Sequence, residues 1–111
     1  MSRGARLSAT FALALLAACG PERSGADTAR LFAEHCATCH GGDGLGSPAR
    51  RGLEPRLDLS RSMMAAKGGR RLLYQRIAFG YNTMPGFAHK LSQGELEQLA
   101  DYVQRFAKAA D

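Results

Sequence analysis

Residues 36–40 read Cys36-Ala37-Thr38-Cys39-His40, preceded by Phe32 and followed by the run Gly41-Gly42-Asp43-Gly44-Leu45-Gly46. Two thiols three positions apart, with an imidazole on the next residue, leave few chemical choices. A structural zinc site needs four protein ligands, usually including a second Cys or His pair at similar spacing. His35, His40 and His89 supply no such pair. A thioredoxin-like redox site sits in a βαβ setting, and no strand-like run flanks this motif. The glycine run is not a phosphate loop either, because no strand precedes it and no Gly-Lys-Ser/Thr closes it.

The remaining reading uses all five residues. Cys-x-x-Cys-His is the attachment motif of c-type haem. Thiols at Cys36 and Cys39, on one helical turn, can add to the two vinyl groups of one haem, and His40 is then aimed at the iron from the proximal side. The sequence therefore predicts a single covalently attached haem c.

Working outward, Asp27 is expected to cap a helix that runs into the motif. Ala29, Phe32, Ala33 and Cys36 recur at i, i+3, i+4 and i+7, one helical face, and the glycine run ends it. Residues 47–67 carry Pro48 and Pro55 and no strong period, with Leu53, Leu57 and Leu59 as apolar anchors and a short helix possible over Ser60 to Lys67. Arg70 to Phe79 reads as a helix stopped by Gly80. Ser92 and Glu95 form a capping box, with Leu91 and Leu96 as its staple. Leu96, Leu99, Ala100, Val103 and Phe106 then continue at helical spacing. The expected fold is all-α, with three or four short helices and no strand.

The first residues belong to a different kind of segment. Arg3 and Arg6 precede an apolar run from Ala9 to Ala18, the layout of a secretory signal peptide. The run is too short to span a bilayer, which takes about 20 apolar residues. Leu16-Ala17-Ala18-Cys19 resembles the lipobox of bacterial lipoproteins, which implies cleavage just before Cys19 and lipid on the new N-terminal Cys. The expected organisation is a signal peptide over 1–18, a lipidated Cys and flexible tether over 19–26, and a folded domain over 27–111. Removing residues 1–18 takes away two arginines and lowers the formal charge from +5 to +3. The basic stretch from Arg50 to Arg71 lacks interleaved aromatics, so nucleic acid is excluded as a partner. A solvated face is the default for it, and a docking patch for an acidic redox protein is the alternative.

The iron's distal side has five candidate ligands: Met63, Met64, Met84, His35 and His89. His35 adjoins Cys36 and cannot reach the far face. Met63 and Met64 sit where core packing suits them better. Met84 precedes Pro85, which favours an extended backbone, and lies 44 residues beyond His40, enough chain to pass round the ring. Met84 is the expected ligand and His89 the minor option.

Phe32-x-x-x-Cys36-x-x-Cys39-His40, Thr83-Met84-Pro85-Gly86-Phe87 and Leu99-x-x-Tyr102-Val103 together resemble a class I cytochrome c of the small bacterial type, over about residues 28–107. That resemblance implies N- and C-terminal helices crossing near Phe32 and Tyr102, and His40 and Met84 on the iron. It also implies Phe32, Pro55, Leu57, Ile77, Tyr81 and Phe87 packed on the haem. A proline carbonyl, Pro55 in preference to Pro48, is expected to orient His40. The implied function is electron carriage between redox proteins by a non-enzymatic protein, either a monomer or a complex subunit. It would be periplasmic and lipid-anchored, with Gly20 after Cys19 resembling an outer-membrane lipoprotein of a Gram-negative bacterium. Two other readings compete: a haem subunit of a dehydrogenase or reductase complex, and a gas-binding sensor with an open distal side.

Overall fold

The computed structural model describes residues 25–109, together with Gly4. Apart from Gly4, the expected signal peptide lies outside the described residues, as do Cys19 and most of the tether. Four α-helices are present among them: α1 (Gly25–His35), α2 (Ala37–His40), α3 (Gly69–Phe79) and α4 (Gln93–Ala109). Between α2 and α3 the chain makes two 3-10 turns, Pro55–Leu57 and Leu59–Arg61, and one π-helical turn, Met64–Gly68. The short helix expected over Ser60 to Lys67 is thus divided in two. Asp58 caps the first half through Ser60 N–H, and the Ser62 hydroxyl accepts from Ala65 N–H to open the second. Apart from an isolated bridge between Tyr81 and Met84, no strand pairing is present among the described residues.

Asp27 is not a cap, because α1 starts two residues earlier. It lies in the first turn, where a carboxylate opposes the helix dipole, and it pairs with Arg30 at 3.4 Å. At α4 the capping box forms as read: Ser92 N–H donates to Glu95 Oε1 at 3.1 Å and Glu95 N–H to Ser92 Oγ at 3.2 Å. Leu91 and Leu96 are both buried beneath it.

The core lies where α1 and α3 meet α4. From α4 come Leu96, Leu99, Ala100, Val103 and Ala107, from α1 Leu31 and Phe32, and from α3 Leu73, Ile77 and Ala78. At the crossing of α1 and α4, the Phe32 ring lies 5.2 Å from Tyr102 and 5.2 Å from Phe106, in tilted geometries. Aromatic pairs favour such offsets and add to the gain from burial. Arg70 ties the start of α3 to α4, with Nε 2.7 Å from Asp101 Oδ1 and Nη2 3.8 Å from Glu97. Among the described residues no helix is long and apolar enough to cross a membrane.

Candidate functional site

Helical hydrogen bonding runs almost unbroken from α1 into the Cys36–His40 motif. Cys36 N–H donates to Phe32 O at 2.9 Å, and His40 N–H to Cys36 O at 2.9 Å. Cys36 and Cys39 therefore occupy one turn, three residues apart, and present their sulfurs on the same side. Neither is in a disulfide. Burial, and then the neighbouring Cys39, push the Cys36 thiol up to about 11. Cys39 is half-exposed, and Arg50 Nη1 points at its Sγ from 3.6 Å.

The His40 ring is held by one contact: Nδ1 lies 2.9 Å from Leu57 O. A carbonyl can only accept, so Nδ1 carries the proton. That leaves the Nε2 lone pair for a metal, the arrangement by which a second bond fixes a ligating imidazole. The carbonyl belongs to Leu57, not to Pro55 or Pro48. Pro55 occupies the first position of its 3-10 turn, and its own carbonyl accepts from Asp58 N–H at 3.2 Å. The ring of proline starts the turn, and the turn's last residue delivers the acceptor.

The backbone around this pair is closely stitched. Gly46 N–H donates to His40 O at 2.7 Å and Ser47 N–H to Cys39 O at 2.9 Å. Leu59 N–H donates to Gly44 O at 2.7 Å, which joins the glycine run to the segment that carries Leu57. Gly44 has φ +76, and a Cβ there would lie 2.6 Å from Phe106 Cδ1. A glycine is required there both for the left-handed backbone and for the close approach to α4.

Met84 is presented by a tight loop folded back on α3. Tyr81 and Met84 exchange backbone hydrogen bonds of 3.0 and 2.9 Å, with Asn82 at φ 51 between them. Phe87 and Ala88 N–H donate to the Ile77 and Ala78 carbonyls, each at 3.0 Å. Gly80, at φ +73, lets the loop leave the helix, and any Cβ on it would strike the Met84 carbonyl. Met84 is half-buried against the core. The other distal candidates have different surroundings. Met63 is 62% exposed, Met64 packs on the core, and His89 is exposed. The His35 ring sits 5.7 Å from that of Phe87.

The expected packing residues divide by location. Phe32 fills the helix crossing, Ile77 and Phe87 lie in the core, Leu57 is half-buried and Pro55 is exposed. Tyr81 is 59% exposed, with the Arg76 guanidinium 4.1 Å above its ring. Sequence reasoning missed the Leu57 carbonyl, which no side-chain pattern marks. It also missed a pair beside the glycine run, in which Arg51 Nη2 donates to Asp43 Oδ2 at 2.8 Å and Oδ1 at 3.0 Å.

The donor set suits a haem. Two sulfurs share one turn, an anchored imidazole offers Nε2, and a thioether stands on a braced loop. Among the described residues no three His, Cys, Asp or Glu side chains converge as a metal site built from protein alone.

Comparison with known proteins agrees with this chemistry. Residues 23–103 match the family model described as "Cytochrome C oxidase, cbb3-type, subunit III". A cytochrome c6 from a Synechococcus strain is 35% identical over 78 residues, which is 70% of this chain and 66% of that protein, slightly less than two thirds of its length. A cytochrome c6 from Bumilleriopsis filiformis is 29% identical over 67% of this chain and 81% of its own. The solved structure of the KustC0563 c-type cytochrome superposes with a TM-score of 0.61 at 30% identity, over 71% of this chain and 95% of that one. The chain belongs to this family of c-type cytochromes. It is all-α and carries covalently attached haem c.

Proposed function

We propose that the chain is a membrane-tethered, extracytoplasmic monohaem cytochrome that passes single electrons between redox proteins, with Cys36 and Cys39 as the thioether links and His40 and Met84 as the axial ligands. The observation that carries the site is the 2.9 Å bond from His40 Nδ1 to Leu57 O, which leaves Nε2 as the ring's ligating atom. Bound haem supplies an iron that cycles between Fe(II) and Fe(III), and a soft methionine sulfur opposite histidine favours the reduced state. The protein's part is to hold two ligands still, so that little rearrangement accompanies each electron. Leu57 O would fix the ring of His40, and the Tyr81–Met84 turn would brace the backbone that carries the Met84 thioether. Cys19 as the lipid attachment point rests on the Leu16-Ala17-Ala18-Cys19 sequence. Several acyl chains on one residue would hold the domain firmly at a membrane.

The optical spectrum tests the axial pair. The oxidised wild type is expected to be low-spin, with a methionine-to-Fe(III) charge-transfer band that disappears in Met84→Ala. A band that survives the substitution removes Met84 from the iron. Mass spectrometry of the mature protein tests the tether, and an unmodified N-terminus at any residue other than 19 rejects it.

A second reading has its own support. The matched family model describes a subunit of an oxidase, which favours a haem subunit working within a larger redox complex. Isolation under mild detergent separates the two readings: a stoichiometric larger partner supports the subunit, and a single chain supports the free carrier.

A further inference from the structure

The hydrogen bonds around His40 form a closed circuit. From the ring, Nδ1 reaches Leu57 O; two residues on, Leu59 N–H reaches Gly44 O; two residues further, Gly46 N–H returns to His40 O. Each link is short, between 2.7 and 2.9 Å. The imidazole's orientation therefore depends on the conformation of residues 43–46, a glycine-rich segment with little stiffness of its own. One side chain spans that segment from end to end. Arg51 Nη2 donates to both carboxylate oxygens of Asp43 and to Gly46 O at 3.2 Å. Asp43 Oδ1 in turn accepts from Leu45 N–H at 3.0 Å.

We propose that Arg51 and Asp43 are positioning residues for the proximal ligand: together they clamp the 43–46 loop and so hold the Leu57 carbonyl in register with His40 Nδ1. Neither residue touches the ring. Both are about half-exposed, with side-chain exposures of 46% and 50%. An isolated surface ion pair of that kind contributes little to global stability. Its effect is local, because one guanidinium nitrogen reaches three oxygens at the two ends of the loop.

This inference rests on His40 being the iron ligand, and proton NMR of the intact holoprotein tests the two separately. The His40 Nδ1 proton of the wild type is expected to be hyperfine-shifted in the oxidised state and slow to exchange with solvent. In Arg51→Gln and in Asp43→Asn its exchange should quicken about tenfold or more, while the Leu99 and Ala100 amides of α4 keep their rates. The charge-swapped pair Asp43→Arg with Arg51→Asp should recover part of the protection. Equal acceleration at His40 and in α4 would make the pair merely structural and overturn the proposal. Unchanged exchange at His40 would overturn it as well. A wild type with no hyperfine-shifted His40 resonance would instead reject the ligand assignment, and the clamp with it.

Discussion

At the α1–α4 crossing, Phe32 meets two rings at 5.2 Å and is 2% exposed, so large side chains hold the two helices together. Around His40 the holding contacts are hydrogen bonds to backbone atoms, 2.7–2.9 Å long. Packing tolerates no lost volume but survives changes of pH and salt. Backbone bonding in a glycine-rich loop tolerates side-chain loss but depends on what braces the loop. The two regions meet where Gly44 lies against the Phe106 ring.

The largest expected effect is at the packed side. Phe32→Ala removes a ring shared by two aromatic partners and leaves a cavity, for a cost of about 3–5 kcal/mol. Urea denaturation of the holoprotein should show it, with the low-spin spectrum retained in the folded fraction. A loss below about 1 kcal/mol would mean that the crossing is not the main support of the fold.

Gly44→Ala probes the junction. Alanine at φ +76 is strained by roughly 1–3 kcal/mol, and its Cβ would press on Phe106. Both regions should respond: a lower urea midpoint from the crossing, and a perturbed Soret region from the His40 loop. A change in the midpoint alone would show that the loop rides on α4 without being coupled to His40.

The same division explains what could be read in the sequence. Elements fixed by side-chain type and spacing were legible: the Phe32–Cys36 face, the Ser92–Glu95 capping box and the α3 stop at Gly80; the crossing of Phe32 with Tyr102 came from the family resemblance alone. The five residues of the attachment motif identified the cofactor, and the family comparison bears that out. What could not be read was carried by the backbone. The carbonyl facing His40 has no side-chain signature, and the family resemblance implied a proline. In the structure, Pro55 shapes the turn and Leu57 supplies the oxygen. Similarly, a helix N-terminus accepts an acid in its first turn as well as at its cap, so Asp27 alone could not place the start of α1, which lies at Gly25. The Asp43–Arg51 pair joins residues eight apart across a loop, a spacing that matches neither helical nor strand periodicity.

The smallest expected effect, on the loop side, depends on pH. The Leu45 N–H bond, and then the Arg51 guanidinium, hold the Asp43 carboxyl below its ordinary value of 3.8. A carboxylate with a depressed pKa in the folded state stabilises that state above its unfolded pKa. The contribution is lost as pH falls through the lower, folded value. Wild type and Asp43→Asn should therefore differ most near neutrality and converge in acid, below the ordinary aspartate range. Phe32→Ala has no ionisable group, so its deficit relative to wild type should stay constant over the same range. Urea midpoints of the three proteins, measured from pH 7 down to the acid limit of folding, make the comparison directly. A gap between Asp43→Asn and wild type that persists in strong acid would show that the asparagine disturbs the loop by its shape, and that the Asp43 charge does not brace it.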